Sequence, residues 1–393
     1  MEYKPLGSMV NRKIGYGIVQ PGQSVPDGVP VIKVNNLISG LKSPSELDTT
    51  ARENEAKYSR TRLHGGELIV SVVGTIGKTA IVPKSFAGCN LVRATALIDI
   101  EDELMSKWVK YYFDSPCGQS YIEQNLNTTV QPTLNIKSLV EMPIPIRDTT
   151  EMKKTVLLLS ALDEKIEVNR QINDNLEQQA HSYFQELFVD NASPEWTTGT
   201  ISDLGTVVGG STPSKAKPEY YTESGIAWIT PKDLSNNKSK FVSHGENDIT
   251  ELGLRNSSAS IMPEGTVLFS SRAPIGYIAI AAGEVTTNQG FKSVVPKPEI
   301  GTPFVYFFLK NTLPVIEGMA SGSTFKEVSG STMKNVPAVI PDAEILAKFS
   351  DFCAPIFAQQ RTLEEQNQSL AKLRDSLLPK LMSGEIDVSA VHL

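Results

Sequence analysis

The amino-acid sequence states nearly the same pattern twice, at a spacing of about 195 residues, and this limits its folds more than any other feature. Val31, Ile32 and Leu37 correspond to Trp228, Ile229 and Leu234. Gly66, Ser71, Ile76, Gly77, Ala80 and Ile81 correspond to Gly265, Ser270, Ile275, Gly276, Ala279 and Ile280, all at an offset of 199. Asn90 is matched to Asn288, and Tyr112, Phe113, Ile122, Glu123 and Pro143 are matched to Tyr306, Phe307, Ile316, Glu317 and Pro337. Such a period is far too long for a solenoid repeat. It predicts two copies of a globular unit, each followed by a long helix, in a molecule with pseudo-two-fold symmetry and two similar but non-identical working surfaces.

With 393 residues, 40% of them hydrophobic and 21% charged, each half has enough chain to bury a core. Cys89, Cys117 and Cys353 are too few and too scattered for a disulfide framework or a metal cage, which fits a reducing, cytoplasmic setting. The first fifteen residues lack an apolar signal core, and no apolar run approaches the roughly 18 residues of a membrane span. The net charge of −7 divides unevenly along the chain. Residues 1–147 carry 16 Lys and Arg against 14 Asp and Glu, and residues 191–341 carry 12 against 13. The acidity sits in residues 148–190 and 342–393, so the globular parts remain open to a polyanionic partner.

The expected class is α+β. Residues 66–69, 71–73 and 79–82 read as a hairpin with its turn at 74–77, repeated at 266–269 and 277–281 around a turn at 273–276. Aromatic runs at 108–113 and 304–309 suit packed helices, and Pro143, Pro145, Pro337 and Pro341 punctuate the exits. The expected domains are globular units at 1–147 and 191–341, with helices at 148–190 and 342–393.

The helical segments carry unbroken steps of three and four: Leu159, Leu162, Ile166, Asn169, Asn173, Leu176, Ala180, Tyr183 and Leu187 in the first. The second has Phe349, Cys353, Ile356, Gln360, Leu363, Asn367, Leu370, Arg374, Leu377 and Leu381. Amides near mid-helix would fix register at some cost in stability. Arg374 fits the seam poorly and Leu373 is the alternative contact, while Pro355 predicts a kink or a break. Antiparallel pairing about a pseudo-dyad is the simplest packing, and a 40-residue helix, about 60 Å long, would serve as a ruler between the globular units. Leu158, Val168, Ile172, Phe184 and Phe188 lie off the first seam, which favours helices from a partner over folding back on the globular units.

Several patterns that resemble chemistry do not carry it. Gly74, Ile76, Gly77, Lys78 and Thr79 look like the end of a phosphate loop, but Val72 stands where the pattern needs glycine, and the second copy has Tyr277 for Lys78. His64, His181, His244 and His392 are isolated from one another and from cysteine, so no metal site is legible. Asp163, Glu164 and Lys165 read as a solvated helix face. The sequence shows neither a serine nucleophile elbow nor the Asn/Asp-Pro-Pro-aromatic motif of an amino-methyltransferase, which argues against catalysis.

The run Gly209, Gly210, Ser211, Thr212, Pro213, Ser214 and Lys215, followed by Tyr220, Tyr221, Gly225, Ile226, Trp228, Ile229 and Thr230, resembles the DNA-specificity subunit of Type I restriction-modification systems. Ser270, Ser271, Arg272, Ala273, Pro274, Ile275 and Gly276, then Thr287, Asn288, Gln289 and Gly290, are similar to the same family, as is the segment from Leu377 to Ile386. The first copy departs from it at 15–22. The resemblance implies two target-recognition domains separated by two long antiparallel coiled-coil helices, and a non-catalytic role. It also implies double-stranded DNA, two methyltransferase subunits and restriction subunits as partners, with S-adenosylmethionine, ATP and magnesium held by those partners and none by this chain.

If the globular units read DNA, lysine and arginine hold phosphates while arginine, asparagine and glutamine read base edges. In the first unit the candidates are Arg52, Lys57, Tyr58, Arg60, Arg62 and His64, then Asn90 and Arg93. In the second they are Lys232, Asn236, Asn237, Lys238 and Lys240, then Arg272, Asn288, Gln289 and Lys326. Each surface lysine has a bland alternative as a solvated charge, and Asn90 and Asn288 have one in satisfying turn backbone. A second functional reading is a non-DNA binding or adhesion module with paired sites on a coiled-coil stalk, which would show no salt-sensitive DNA affinity. On the DNA reading, replacing residues 1–147 by the equivalent unit of a relative should change one half-site and leave the other intact. Sequencing of methylated sites in such a chimera is the check, and alteration of both half-sites would refute it.

Overall fold

The computed structural model describes residues 2–41, 43–127, 131–322 and 326–389. The chain divides into two compact units, Met1–Lys165 with Ser369–Leu393, and Ile166–Gln368. Each unit thus contains one globular part together with portions of both long helices. Of the residues singled out above, His392 lies outside the described ones.

In the first unit a four-stranded antiparallel sheet runs in the order Arg12–Tyr16, Thr95–Asp99, Leu68–Ser71, Thr79–Ile81. The expected hairpin is its edge pair, closed by a turn in which Gly74 and Gly77 take φ of 78° and 81°. Side chains alternate across a strand. Accordingly Leu68 and Val70 enter one hydrophobic cluster with Ala96 and Ile98, whereas Ile69 and Leu97 enter a second with Ile32, Phe86 and Leu91. A smaller sheet orders Thr49–Thr50, Val29–Ile32 and Asn90–Leu91, the last pair parallel. The aromatic helix Glu103–Asp114 is capped by Asp102, whose carboxylate accepts from Leu104 N at 2.9 Å, and Trp108 donates from Nε1 to Pro145 O at 2.8 Å.

The second unit repeats the plan. Its main sheet orders Gly205–Gly209, Lys292–Pro296, Val267–Ser271, Ile275–Ala281 and Phe241–Val242, and its smaller sheet orders Tyr221–Thr222, Asn247–Ile249, Ile226–Ile229 and Thr286–Thr287. Again one strand feeds two clusters, Val267 and Phe269 into one and Leu268 into the other. The aromatic helix Thr302–Gly318 packs Phe304 and Phe307 against Phe184 and Phe349.

The first long helix spans Thr149–Gln185 and the second Ala343–Ser383. Within the second unit they pair antiparallel, with Asn169 Nδ2 donating to Asn367 Oδ1 at 2.9 Å and Asn173 Nδ2 donating to Gln360 O at 3.3 Å. Both heptad stripes face inward as the spacing predicts. Three expectations are corrected. Arg374, not Leu373, occupies the seam, because its guanidinium donates to Asp163 Oδ1 at 2.8 Å, and Leu373 is left 47% exposed. Asp163 is therefore not a solvated residue: burial favours its neutral form, but Lys110 and Arg374 outweigh that and hold its pKa below the usual carboxylate value. Of the kink or break expected at Pro355 the break is absent: the second helix continues through it, on an exposed face where water can replace the missing hydrogen bond.

Off the first seam, Phe184 is buried and Phe188 and Leu158 are partly buried against the domain cores, so these three fold back. Val168 and Ile172 remain 46% and 38% exposed.

Lys240 is also corrected. It is buried, with Nζ donating to Glu177 Oε2 at 2.7 Å and to Gln360 Oε1 at 2.8 Å, and lying 3.6 Å from the centre of the Phe357 ring. The other Glu177 oxygen accepts from Lys310 Nζ at 2.6 Å and from the Tyr306 hydroxyl at 3.1 Å. Burial alone would raise the Glu177 pKa, yet the two lysines bring it down to about 2. Because this folded value lies below the unfolded one near 4.5, the stabilisation is present above pH 4.5 and is lost as pH falls toward 2. Glu177→Gln should therefore destabilise the protein by about 3 kcal/mol at neutral pH. The difference from the parent should shrink on acidification below pH 4.5, as read by denaturant unfolding of both proteins across that range.

Candidate nucleic-acid interface

Five separated segments of the second unit meet around one cleft of about 480 Å³, one of them Glu246 and Asn247 at the start of the strand Asn247–Ile249. Thr212 and Lys215 come from the glycine-led loop, Lys232 from the short helix Pro231–Asn236, Arg272 from the end of a central strand, and Asn288 and Gln289 from the turn after Thr286–Thr287. Trp228 forms part of the wall, with Nε1 donating to Ser211 O at 3.0 Å. Gly210 is required here: a Cβ on it would stand 2.0 Å from Asn288 O, so only glycine lets the loop lie against the turn.

The turn is held chiefly by main chain. Asn288 N donates to Ile229 O at 3.0 Å, Ser271 N donates to Gly290 O at 2.7 Å, and Asn288 Oδ1 accepts from Gly290 N at 2.8 Å. Gln289 is exposed and accepts from the Thr212 hydroxyl through Oε1. Arg272 is 38% exposed at its side chain, with Nη1 3.4 Å from Glu327 Oε2, a loose contact that leaves donors free to turn outward. Lys232 is exposed and pairs with Glu246 at 2.6 Å. Lys215, Lys232 and Arg272 bring positive charge to the rim, against Asp233 and Glu246.

Sequence reasoning thus named four residues that share this cleft, Lys232, Arg272, Asn288 and Gln289, and missed Thr212, Lys215 and Trp228 as lining groups. The signal for Lys215 was its place at the end of the Gly-Gly-Ser-Thr-Pro run. Lys326 is exposed and shares a neighbouring cleft with Arg272 and Glu327. Asn236, Asn237 and Lys238 are exposed but do not line either cleft, and Lys238 sits 4.7 Å from the centre of the Tyr277 ring. Lys240, buried against Glu177 and Gln360 of the long helices, is removed from the candidates.

In the first unit the basic stretch folds around a buried acid. Glu55, 2% exposed, accepts from Arg62 through both carboxylate oxygens and from Asn90 Nδ2 at 3.0 Å. The Arg62 hydrogen bonds hold its pKa below the usual value against the opposing effect of burial. Asn90 is fully buried, accepts from the Thr61 hydroxyl at 2.9 Å and donates to Tyr58 O at 3.1 Å. It cannot reach a ligand and is corrected to a structural residue, and Arg62 is committed to Glu55. Arg52, Lys57, Arg60, His64 and Arg93 are exposed and Tyr58 is half-buried. Among the described residues no group of three or more His, Cys, Asp and Glu is arranged to hold a metal ion, and no described helix is long and apolar enough to cross a membrane.

Comparison with known proteins identifies the same architecture. The sequence profile of the type I restriction modification DNA specificity domain matches residues 2–178 and again residues 194–371. The MjaIX specificity subunit of a type I restriction enzyme from Methanocaldococcus jannaschii is 38% identical over 192 residues, 48% of this chain and 44% of that protein. The HindI specificity subunit from Haemophilus influenzae is 24% identical over 330 residues, covering 65% of this chain and 71% of its own. The match to the first of these relatives therefore spans less than half of its length. The crystal structure of a type I restriction-modification S subunit from M. genitalium shares the fold at a TM-score of 0.56 and 17% identity, over 96% of this chain and 95% of that one.

Proposed function

Since this chain belongs to the type I restriction-modification DNA specificity family, we propose that it reads an asymmetric, bipartite DNA target, one half-site per globular domain. The observation that carries this reading is the convergence of Lys232, Arg272, Asn288 and Gln289 from separate segments on one open cleft. Cations at a rim grip phosphates, and amides on a main-chain-held turn together with a guanidinium at the end of a strand present the paired donors and acceptors that base edges require. The exposed side chains of Arg52, Lys57, Arg60, Asn236, Lys238 and Lys326 serve as phosphate contacts outside the cleft. The long helices set the length of the unread spacer between the half-sites.

The chemistry belongs to partners acting in the cytoplasm: two methyltransferase subunits with S-adenosylmethionine, and restriction subunits with ATP and magnesium. Val168 and Ile172, one helical turn apart and both exposed, supply an apolar strip on the first long helix for a methyltransferase helix to cover. Val168→Glu together with Ile172→Glu should leave thermal unfolding nearly unchanged and abolish co-purification with the methyltransferase subunit; retention of the complex would remove this strip from the interface.

Arg272→Ala should weaken DNA binding by the assembled complex about tenfold or more without disturbing assembly. Binding should also fall steeply with rising salt, because gripping phosphates releases counterions. Fluorescence anisotropy at several salt concentrations measures both. An unchanged affinity would exclude Arg272 from the interface, and a flat salt response would count against DNA binding itself.

A further inference from the structure

The turn that lines the second domain's cleft has a counterpart in the first domain that the sequence repeat misaligns. The same main-chain hydrogen bonds frame both turns. In the second unit Trp228 and Ile229 pair in parallel with Thr286 and Thr287, and in the first unit Val31 and Ile32 pair in parallel with Asn90 and Leu91. Asn288 N donates to Ile229 O at 3.0 Å, and Val92 N donates to Ile32 O at 3.2 Å. Ser211 N donates to Thr287 O at 2.9 Å, and Ile18 N donates to Leu91 O at 2.6 Å. Ser271 N reaches Gly290 O at 2.7 Å, and Val72 N reaches Ala94 O at 2.8 Å. The glycine contact repeats too, a Cβ on Gly17 meeting Leu91 O at 2.1 Å as one on Gly210 would meet Thr287 O at 2.4 Å.

These bonds fix the correspondence residue by residue. Asn90 matches Thr286 rather than Asn288, and Arg93 stands where the second domain has Gln289. Val73 stands at the position of Arg272, each forming an isolated bridge to a later segment, with Thr133 and Glu327 respectively. Val19 stands at the position of Thr212, one residue beyond the Ile18 and Ser211 pair.

We propose that Arg93 is the base-reading residue of the first domain and that it reads a guanine, flanked by an apolar surface from Val19 and Val73. The proposal rests on the reading of the domains as DNA readers. Arg93 is exposed, its main chain is held by donation from N to Ile18 O at 2.8 Å, and its side chain has no ion-pair partner among the described residues. A guanidinium offers two parallel donors that match O6 and N7 of guanine in the major groove, whereas the amide at the equivalent position of the second domain matches adenine. Val19 is 46% exposed and Val73 partly so, and apolar side chains at this place suit a thymine methyl group better than a phosphate. The basic stretch at Arg52, Lys57 and Arg60 then adds affinity without base preference.

The test uses the full chain expressed with its methyltransferase subunits and reads the methylated sites by sequencing. Arg93→Ala should relax one guanine position of one half-site about tenfold or more and leave the other half-site unchanged. Arg93→Gln should shift that position toward adenine. Gln289→Ala should alter only the other half-site, and Arg52→Ala should lower the extent of methylation with the sequence preserved. If Gln289→Ala changes its half-site while both Arg93 variants keep the parental sequence, the assignment of Arg93 is overturned and the DNA reading stands. A change of base preference on Arg52→Ala overturns it equally. A parent complex that methylates without sequence preference would overturn the DNA reading itself.

Discussion

Each domain core is closed by the long helices, and the rest of each unit depends on that shared wall. Met152, Val156 and Leu159 from the first helix and Leu378, Leu381 and Met382 from the second lie in the same cluster as Trp108 and Phe113. In the other unit Ala180 and Phe184 meet Phe349, Cys353 and Ile356 around Phe304 and Phe307. Burial of each large side chain contributes about 1.5–3 kcal/mol. Neither globular part could lose its helices without opening its core, so the helical seam is a structural member of both domains. The seam is also addressed: Asn169 with Asn367 and Asp163 with Arg374 admit one register, since a slip would strand polar groups against aliphatic ones.

A second set of polar contacts fastens each sheet-bearing part to its own stretch of helix. In the first unit Asp163 gathers the Tyr111 hydroxyl at 2.9 Å, Lys110 and Arg374. In the second unit Glu177 gathers Tyr306, Lys310 and Lys240. The residues differ and their positions along the helix differ, but the device is common: one helix acid, a tyrosine and a lysine from the aromatic helix, and one further cation. Charges half-removed from water tolerate little misalignment, so these hooks fix the angle at which each domain leaves its helices.

Much of this was legible in the sequence because it rests on local pattern. The strand alternation at 68–71, the hairpin glycines, the aromatic helices and both heptad stripes follow from periodicities that a linear reading can follow. What was not legible depends on distant partners. Lys240 follows a polar run and looks like a surface cation, and it is Glu177, Gln360 and the Phe357 ring, far along the chain, that bury it. Arg374 fits the seam only because Asp163, 211 residues away in the chain, meets it there. Asn90 and Asn288 looked equivalent as identical letters, but the hairpin and the following strand keep different offsets, and hydrogen bonds to Ile32 and Ile229 align the turns two residues away from that match.

The turn that carries Gln289 in one domain and Arg93 in the other is positioned by peptide groups and by two glycines, and hardly by its own side chains. A surface built this way separates what is displayed from what holds it up. Substituting an exposed side chain outside the framing bonds typically changes stability by no more than about 0.5 kcal/mol. Single replacements can therefore change the displayed surface of either turn while the scaffold persists. The framing bonds place no demand on the displayed letters, so the two copies can hold the same turn while showing a guanidinium in one and an amide in the other.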